Sequence, residues 1–244
     1  MVDYSQFEAS VKPGIHADTA RIRQKDEIIR RVVKKRRRSA ISFILCLCMA
    51  GSTFFIHNRL VPAIFFILLA LFFLWRSWGR FSDKYLAEIY EEGLLVPGMI
   101  IKTKPLTVLA IANLVAQDGA DTVNGCYCLV VNELDGAVNT LYEKIPCSCF
   151  FHYEGGSYYT SFQPHPLYWG TADRGEIADA LYRVEEDNKE NSKDEWEVLK
   201  EIAGQFPNLE DQDIILLDKN YVPFGKKKYI DSGYQPLNTE PEEQ

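Results

Sequence analysis

Hydrophobic residues are arranged along this chain in two unlike ways. Over residues 39–80 they form long runs. Ala40–His57 contains Phe43, Ile44, Leu45, Leu47, Met49, Phe54, Phe55 and Ile56, and Leu60–Trp75 is nearly unbroken before Arg76. At about 1.5 Å per residue, runs of about 16 to 18 residues reach roughly 24–27 Å, just under a hydrocarbon core of about 30 Å. Neither run keeps the polar stripe of a soluble core helix. Together they predict a two-helix transmembrane hairpin, with Pro62 at a tolerated position near the start of the second helix and a short link at His57-Asn58-Arg59-Leu60. Trp75 and Trp78 beside Arg76 read as an interfacial anchor. A secretory signal does not fit, because the first run begins nearly 40 residues in and a second follows. Leu47 before Cys48 also argues against lipoprotein cleavage.

Beyond residue 93 the pattern shortens. Met99–Lys104, Leu106–Leu114, Cys126–Leu134 and Ile145–Tyr153 are brief runs of Val, Ile, Leu, Tyr and Phe. They are separated by Pro97-Gly98, Asp118-Gly119, Asp135-Gly136 and Gly155-Gly156, the punctuation of strands and turns. A small antiparallel β-sheet or partly closed β-barrel follows from it. Two C-terminal helices come next. Asp173 with Glu176, and Ser192 with Glu195, resemble capping boxes. Ile177, Ala180, Leu181 and Val184 keep helical spacing in the first, and Trp196, Leu199, Ala203 and Phe206 in the second, up to Pro207. Ser82–Glu92 reads as a short helix stopped by Gly93, Ile214–Leu217 as an edge strand, and Asp18 as the start of a helix running into the first apolar run. The fold class is α+β with two transmembrane helices. It divides into a basic segment (1–38), the hairpin (39–80), a β-rich domain with its helices (81–217) and a tail (218–244) whose polar, Pro-containing composition predicts disorder.

Charge sharpens this division. Residues 1–38 carry 11 Lys and Arg against 5 Asp and Glu, whereas 81–244 carry 13 against 29. The cluster Arg30, Arg31, Lys34, Lys35, Arg36, Arg37 and Arg38 directly precedes the first apolar run, and Arg76, Arg80 and Lys84 follow the second. The positive-inside bias places both termini in the cytosol of a multi-pass cell-membrane protein. The same cluster suits anionic lipid head groups. Nucleic acid is not expected, since the cluster lacks interleaved aromatics.

Candidate chemistry is sparse. All six cysteines occur as C-x-C pairs: Cys46/Cys48, Cys126/Cys128 and Cys147/Cys149. The first pair reads as apolar filling. The other two lie in predicted strands, where residues two apart share a face. Were those strands neighbours, Cys126, Cys128, Cys147 and Cys149 could converge on a soft metal. The main expectation is buried free thiols, because zinc sites favour C-x(2–4)-C on turns. His152 and His165 have no flanking catalytic signature, and no P-loop, G-x-G-x-x-G or G-x-S-x-G occurs. Asp211 and Asp213 read as a solvated face. No cofactor and no enzymatic activity are expected.

The densest aromatic and proline stretch is Phe162–Asp173. It either locks the sheet to the following helix or presents Phe162, His165, Tyr168 and Trp169 to a protein partner. Its pattern, Phe162-x-Pro164-x-Pro166-Leu167-x-Trp169-Gly170-Thr171-x-Asp173, is followed by a helix and Glu195-Trp196-x-x-Leu199. With Ile145-Pro146-Cys147 and Gly93-x-x-x-Pro97-Gly98, it resembles an uncharacterised bacterial family of membrane-associated proteins classed as a domain of unknown function. The resemblance covers roughly residues 90–205 and implies a compact β-rich domain with terminal helices. It carries over no catalytic residue, and Cys126, Cys128 and Cys149 lie outside its pattern. The leading functional expectation is a membrane-anchored interaction or scaffolding module. A membrane-tethered thiol or metal sensor and a toxin-immunity-type membrane protein are the alternatives.

Overall fold

The structure, a computed structural model, describes residues 12–55, 60–77, 83–117, 119–153, 156–189 and 193–228. The interhelical link at His57-Asn58-Arg59, the anchor residue Trp78, the flanking Arg80, the Ser82 cap, the Ser192 cap, Asp118, Gly155 and residues 229–244 lie outside these. The chain divides into two units, residues 1–22 with 84–244 and residues 23–83.

The larger unit is built on one seven-stranded antiparallel sheet. Its strands are β1 (Leu94–Thr103), β2 (Leu106–Asn113), β3 (Asn124–Val131), β4 (Lys144–His152), β5 (Ser161–Pro166), β6 (Asp213–Leu217) and β7 (Pro223–Lys228), in the order β5-β4-β1-β2-β3-β6-β7. The sheet curls so that β3 and β5 approach across one face, bringing Tyr127 and Phe162 to 5.7 Å between ring centroids. Gly125 permits this approach. A Cβ there would stand 2.9 Å from both Leu114 and Phe162. The expected small sheet or open barrel is therefore present, with two more strands than its four clearest sequence runs and the Ile214–Leu217 run account for.

Those two strands were hidden by their composition. β5 contains Pro164 and Pro166, which a strand tolerates at the edge of a sheet, where β5 lies. β7 ends in three lysines, an edge composition that discourages pairing with other chains. Residues 223–228 are thus strand, where disorder was expected. Ile214–Leu217, expected at an edge, lies between β3 and β7.

Helices α4 (Asp83–Glu91), α5 (Arg174–Asn188) and α6 (Glu195–Gln205) complete this part of the chain. The Asp173 carboxylate caps α5 by accepting from the backbone N–H groups of Gly175 and Glu176. Glu176 does not close the box. Instead it accepts from the Thr171 hydroxyl, and that hydroxyl accepts from the N–H of Asp173. For α6 the cap is Asp194, which accepts from Trp196 N–H.

In the second unit, Asp26 divides the expected single N-terminal helix. α1 (Thr19–Lys25) ends before it, and its carboxylate caps α2 (Glu27–Phe55) by accepting from Ile29 N–H at 3.0 Å. α2 packs along α3 (Leu60–Ser77). Buried positions of this pair include the small residues Cys46, Ala50 and Ala70.

The transmembrane expectation is corrected here. Among the described residues, no helix is long and apolar enough to cross a membrane. The first three turns of α2 are charged, so its apolar part begins only at Ser39 and is diluted by Ser42, Gly51, Ser52 and Thr53. That part rises about 25 Å and α3 about 27 Å, both short of about 30 Å. The two-pass placement in a cell membrane with cytosolic termini rested on those spans and goes with them.

Candidate functional site

Four groups of residues were singled out by sequence or emerge from the fold. The Phe162–Asp173 segment is a lock inside the domain. Phe162 fills the sheet interior between Tyr127 and Phe151. His165 is 1% exposed and meets the Tyr90 ring edge-on at 5.8 Å. Trp169 is buried and donates its indole N–H to the Glu133 carbonyl at 3.4 Å. The half-buried Tyr168 offers its carbonyl to Arg21, which donates from Nε and Nη2 at 3.1 and 3.0 Å. Burial pushes the Tyr168 hydroxyl above its ordinary range. Phe162, His165 and Trp169 are therefore not available to a partner, which corrects the partner-surface expectation.

The cysteine pairs do not converge. Cys128 pairs with Leu109, Leu109 with Met99, and Cys147 with Val96. Val96 and Met99 are three residues apart on a stretch of β1 whose register with β4 is unbroken, so they point to opposite faces. Cys126 and Cys128 thus lie on one face and Cys147 and Cys149 on the other, three strand spacings or about 14 Å apart along the sheet. All four are buried. Burial pushes Cys128 up to about 12 and raises Cys126, Cys147 and Cys149 well above the ordinary thiol range. Among the described residues, no group of three or more His, Cys, Asp or Glu side chains could hold a metal ion. The four-sulfur site is corrected accordingly. Asp211 and Asp213 are not a solvated face either: Asp211 accepts from Val130 N–H at 2.8 Å, and buried Asp213 pairs with Lys226 at 2.7 Å.

Sequence reading missed a polar cavity of about 440 Å³ between β4, α5 and α6, lined by Lys144, Glu185, Asn188, Lys189, Lys193, Asp194 and Trp196. Lys144 lies 5.0 Å over the Trp196 ring and 2.6 Å from Glu185. Lys189 and Lys193 are paired with Glu186 and Glu201. The amines are thus neutralised by acids of the protein itself. On the adjoining turn, burial and the nearby Asp187 push Glu195 up to about 7, and the Tyr221 hydroxyl donates to it at 3.5 Å. Of these acids the sequence reading used Glu195 alone, in a capping box with Ser192.

The helical pair of the second unit presents a different surface. Arg30, Lys34, Lys35, Arg37 and Arg38 are exposed, with Arg31 and Arg36 half-buried. From Ile41 onward the exposed side chains of α2 are apolar apart from Ser52, among them Ile44 at 58% and Leu45 at 59%. On α3, Phe65 is 60% and Leu68 61% exposed, and Ile64, Ile67, Leu71 and Phe72 add to the same kind of surface. Three hydroxyls of α2 are turned onto its own backbone: Ser39 donates to the Lys35 carbonyl, and Ser52 and Thr53 to that of Met49.

A curled antiparallel sheet with its helices in one unit, and an apolar helical pair in the other, define an α+β protein. Residues 84–206, half of the chain, match the family described as "Protein of unknown function (DUF3239)", and the protein belongs to that family. The match takes in the β-rich region from α4 to the end of α6. Among solved structures, the chain is similar to one described as "a putative membrane protein from Corynebacterium diphtheriae", with 20% identity, 51% of this chain and 98% of that chain covered, and a TM-score of 0.37. No curated protein matches the chain.

Proposed function

We propose that α2 and α3 attach this protein to a lipid bilayer, and that its β-rich domain serves there as a non-catalytic interaction module. The observation that carries the attachment is the exposed apolar surface of the two helices. Ile41, Ile44, Leu45, Leu47, Met49 and Phe54 on α2 are exposed together with seven large apolar side chains on α3, ending at Trp75 at 75%. Single exposed apolar residues need no explanation, but a contiguous surface of this size calls for an apolar partner. Lipid suits it better than a protein groove, because exposed apolar residues lie on several sides of the pair and the hydroxyls of Ser39, Ser52 and Thr53 are satisfied by the backbone of α2. Attachment requires neither helix to reach the far side of the bilayer. A filled sheet interior and buried cysteines favour an interaction module over an enzyme or a thiol sensor.

Cys48 provides the test, because it is the exposed cysteine among six and lies on the apolar part of α2. The full chain, labelled at Cys48 with an environment-sensitive fluorophore, should float with phosphatidylcholine vesicles. The emission should shift to the blue and the probe should become shielded from an aqueous quencher. Failure to float, or a probe equally quenched with and without vesicles, overturns the attachment.

A further inference from the structure

The exposed side of α2 changes character along the helix axis while keeping one direction. At about 3.6 residues per turn, Arg30, Arg31, Lys34, Lys35, Arg37 and Arg38 fall within an arc of about 160°. Ile41, Ile44, Leu45, Cys48 and Met49 fall within about 140° of that same side. Ser39, Cys46 and Ala50 lie opposite and are buried. The surface therefore passes from cationic to apolar between Arg38 and Ile41, a rise of about 4.5 Å. Asp26 and Glu27 are the acids at the start of this arc; Asp26 accepts from Ile29 N–H, and Glu27 is paired with Arg31 at 3.9 Å.

We infer that the first three turns of α2 form a binding site for the head groups of anionic phospholipids, in register with the apolar side that enters the lipid. The inference rests on the bilayer attachment proposed above and adds the lipid class. The cationic stretch from Arg30 to Arg38 rises about 12 Å, comparable with the depth of a head-group layer. Guanidinium groups suit phosphate through paired N–H donors. The side chains just below begin the apolar surface with no polar interval, so an anion bound here would be joined to a hydrocarbon chain. That geometry separates an anionic lipid from a nucleic acid, which would place phosphates beside Arg38 and leave Ile41 and Leu45 in water.

The test is partition of the full chain onto phosphatidylcholine vesicles with and without phosphatidylglycerol, at about 0.1 M and about 1 M salt, where the screening length falls from about 10 Å to 3 Å. A cation near an anionic surface contributes about fivefold in affinity. The expected preference for the anionic vesicles is at least tenfold at low salt and largely lost at high salt. The combined variant Arg30→Gln, Lys34→Gln, Arg37→Gln and Arg38→Gln should lose most of the preference for anionic vesicles, with unchanged alkylation of its buried cysteines showing that the fold is kept. Equal, salt-insensitive binding of the unmodified protein to both vesicles overturns the head-group site and leaves the attachment standing. Binding to neither overturns both. Displacement from anionic vesicles by duplex DNA at equal phosphate concentration overturns lipid as the ligand.

Discussion

The Tyr90 ring lies directly on the Cα of Gly170. A Cβ at that glycine would fall well inside contact distance of Cδ1, Cε1 and Cγ of the ring. Gly170 has φ −85°, which any residue adopts, so close approach and not backbone freedom requires glycine here. Tyr90 is fully buried and abuts His165, and the Gly170 carbonyl accepts from Asp18 N–H at 2.8 Å. α4, the turn after β5 and the N-terminal segment thus meet at one residue.

Gly170→Ala should therefore destabilise the domain by about 1–3 kcal/mol, the usual cost of forcing extra volume into a packed site. Gly204, exposed on α6 with open space around it, provides the contrast. Gly204→Ala should be neutral or stabilising by up to about 1 kcal/mol. Urea midpoints of the two variants check both directions. Equal tolerance at the two positions would show that the Tyr90 contact does not constrain the fold.

The cysteine environments predict a reactivity pattern. In the folded chain one thiol, Cys48, should react with N-ethylmaleimide, and all six should react after unfolding in guanidinium, as intact mass can count. Burial raises the four sheet thiols away from the reactive thiolate form, and Cys46 is covered as well. Two or more fast-reacting thiols, or stoichiometric zinc in the purified protein, would contradict the separation of the two pairs across the sheet.

Much of the fold can be read from local pattern, and what cannot be read depends on long-range pairing. β1 to β4 announce themselves because their side chains are apolar on both faces and turn residues bound them. β5 and β7 do not, because Pro164, Pro166 and Lys226 to Lys228 are edge residues whose meaning appears only once the strand order is known. Period two puts Cys126 beside Cys128 and Cys147 beside Cys149, but only the register through Leu109, Met99 and Val96 shows that the pairs face apart. The Phe162–Asp173 motif was legible as important, yet its burial was not. The helical pair was legible as two apolar helices, while its length against a bilayer was close enough to the limit that polar positions such as Ser39 and Ser52 decided whether it spans one.

Glu195 predicts a pH dependence. Its carboxyl is pushed from the ordinary 4.5 up to about 7 by burial first and by Asp187 next. In the unfolded chain it ionises near its ordinary value, so between about 4.5 and 7 the folded state holds a proton that the unfolded state has lost. Stability should accordingly fall as pH rises through this window and level off above it, by at most about 3 kcal/mol from this group. Glu195→Gln should remove that slope and stabilise the protein at pH 8, with little effect at pH 4. Urea midpoints of the two proteins across this range provide the measurement. Parallel pH profiles would mean that Glu195 is solvated in the folded state.

Ser148 joins α4 to β4, and its removal separates a polar contribution from a packing one. Its hydroxyl is fully buried and donates to the carbonyl of Ile89, one of the α4 carbonyls that the helix leaves without an intrahelical donor. Gly93, two residues past the end of α4, makes room for this contact, since a Cβ there would collide with the Ser148 hydroxyl and crowd the same Ile89 carbonyl. Ser148→Ala removes the donor and should cost about 1–2 kcal/mol, because the buried carbonyl is left unsatisfied. Gly93→Ala should cost at least as much, through both the clash and the displaced hydroxyl. The double variant should cost less than the sum of the two, since removal of the hydroxyl relieves part of the clash. Urea midpoints of the four proteins in this cycle give the coupling. Strict additivity would mean that Gly93 and Ser148 act independently and that the α4 terminus is held by other contacts.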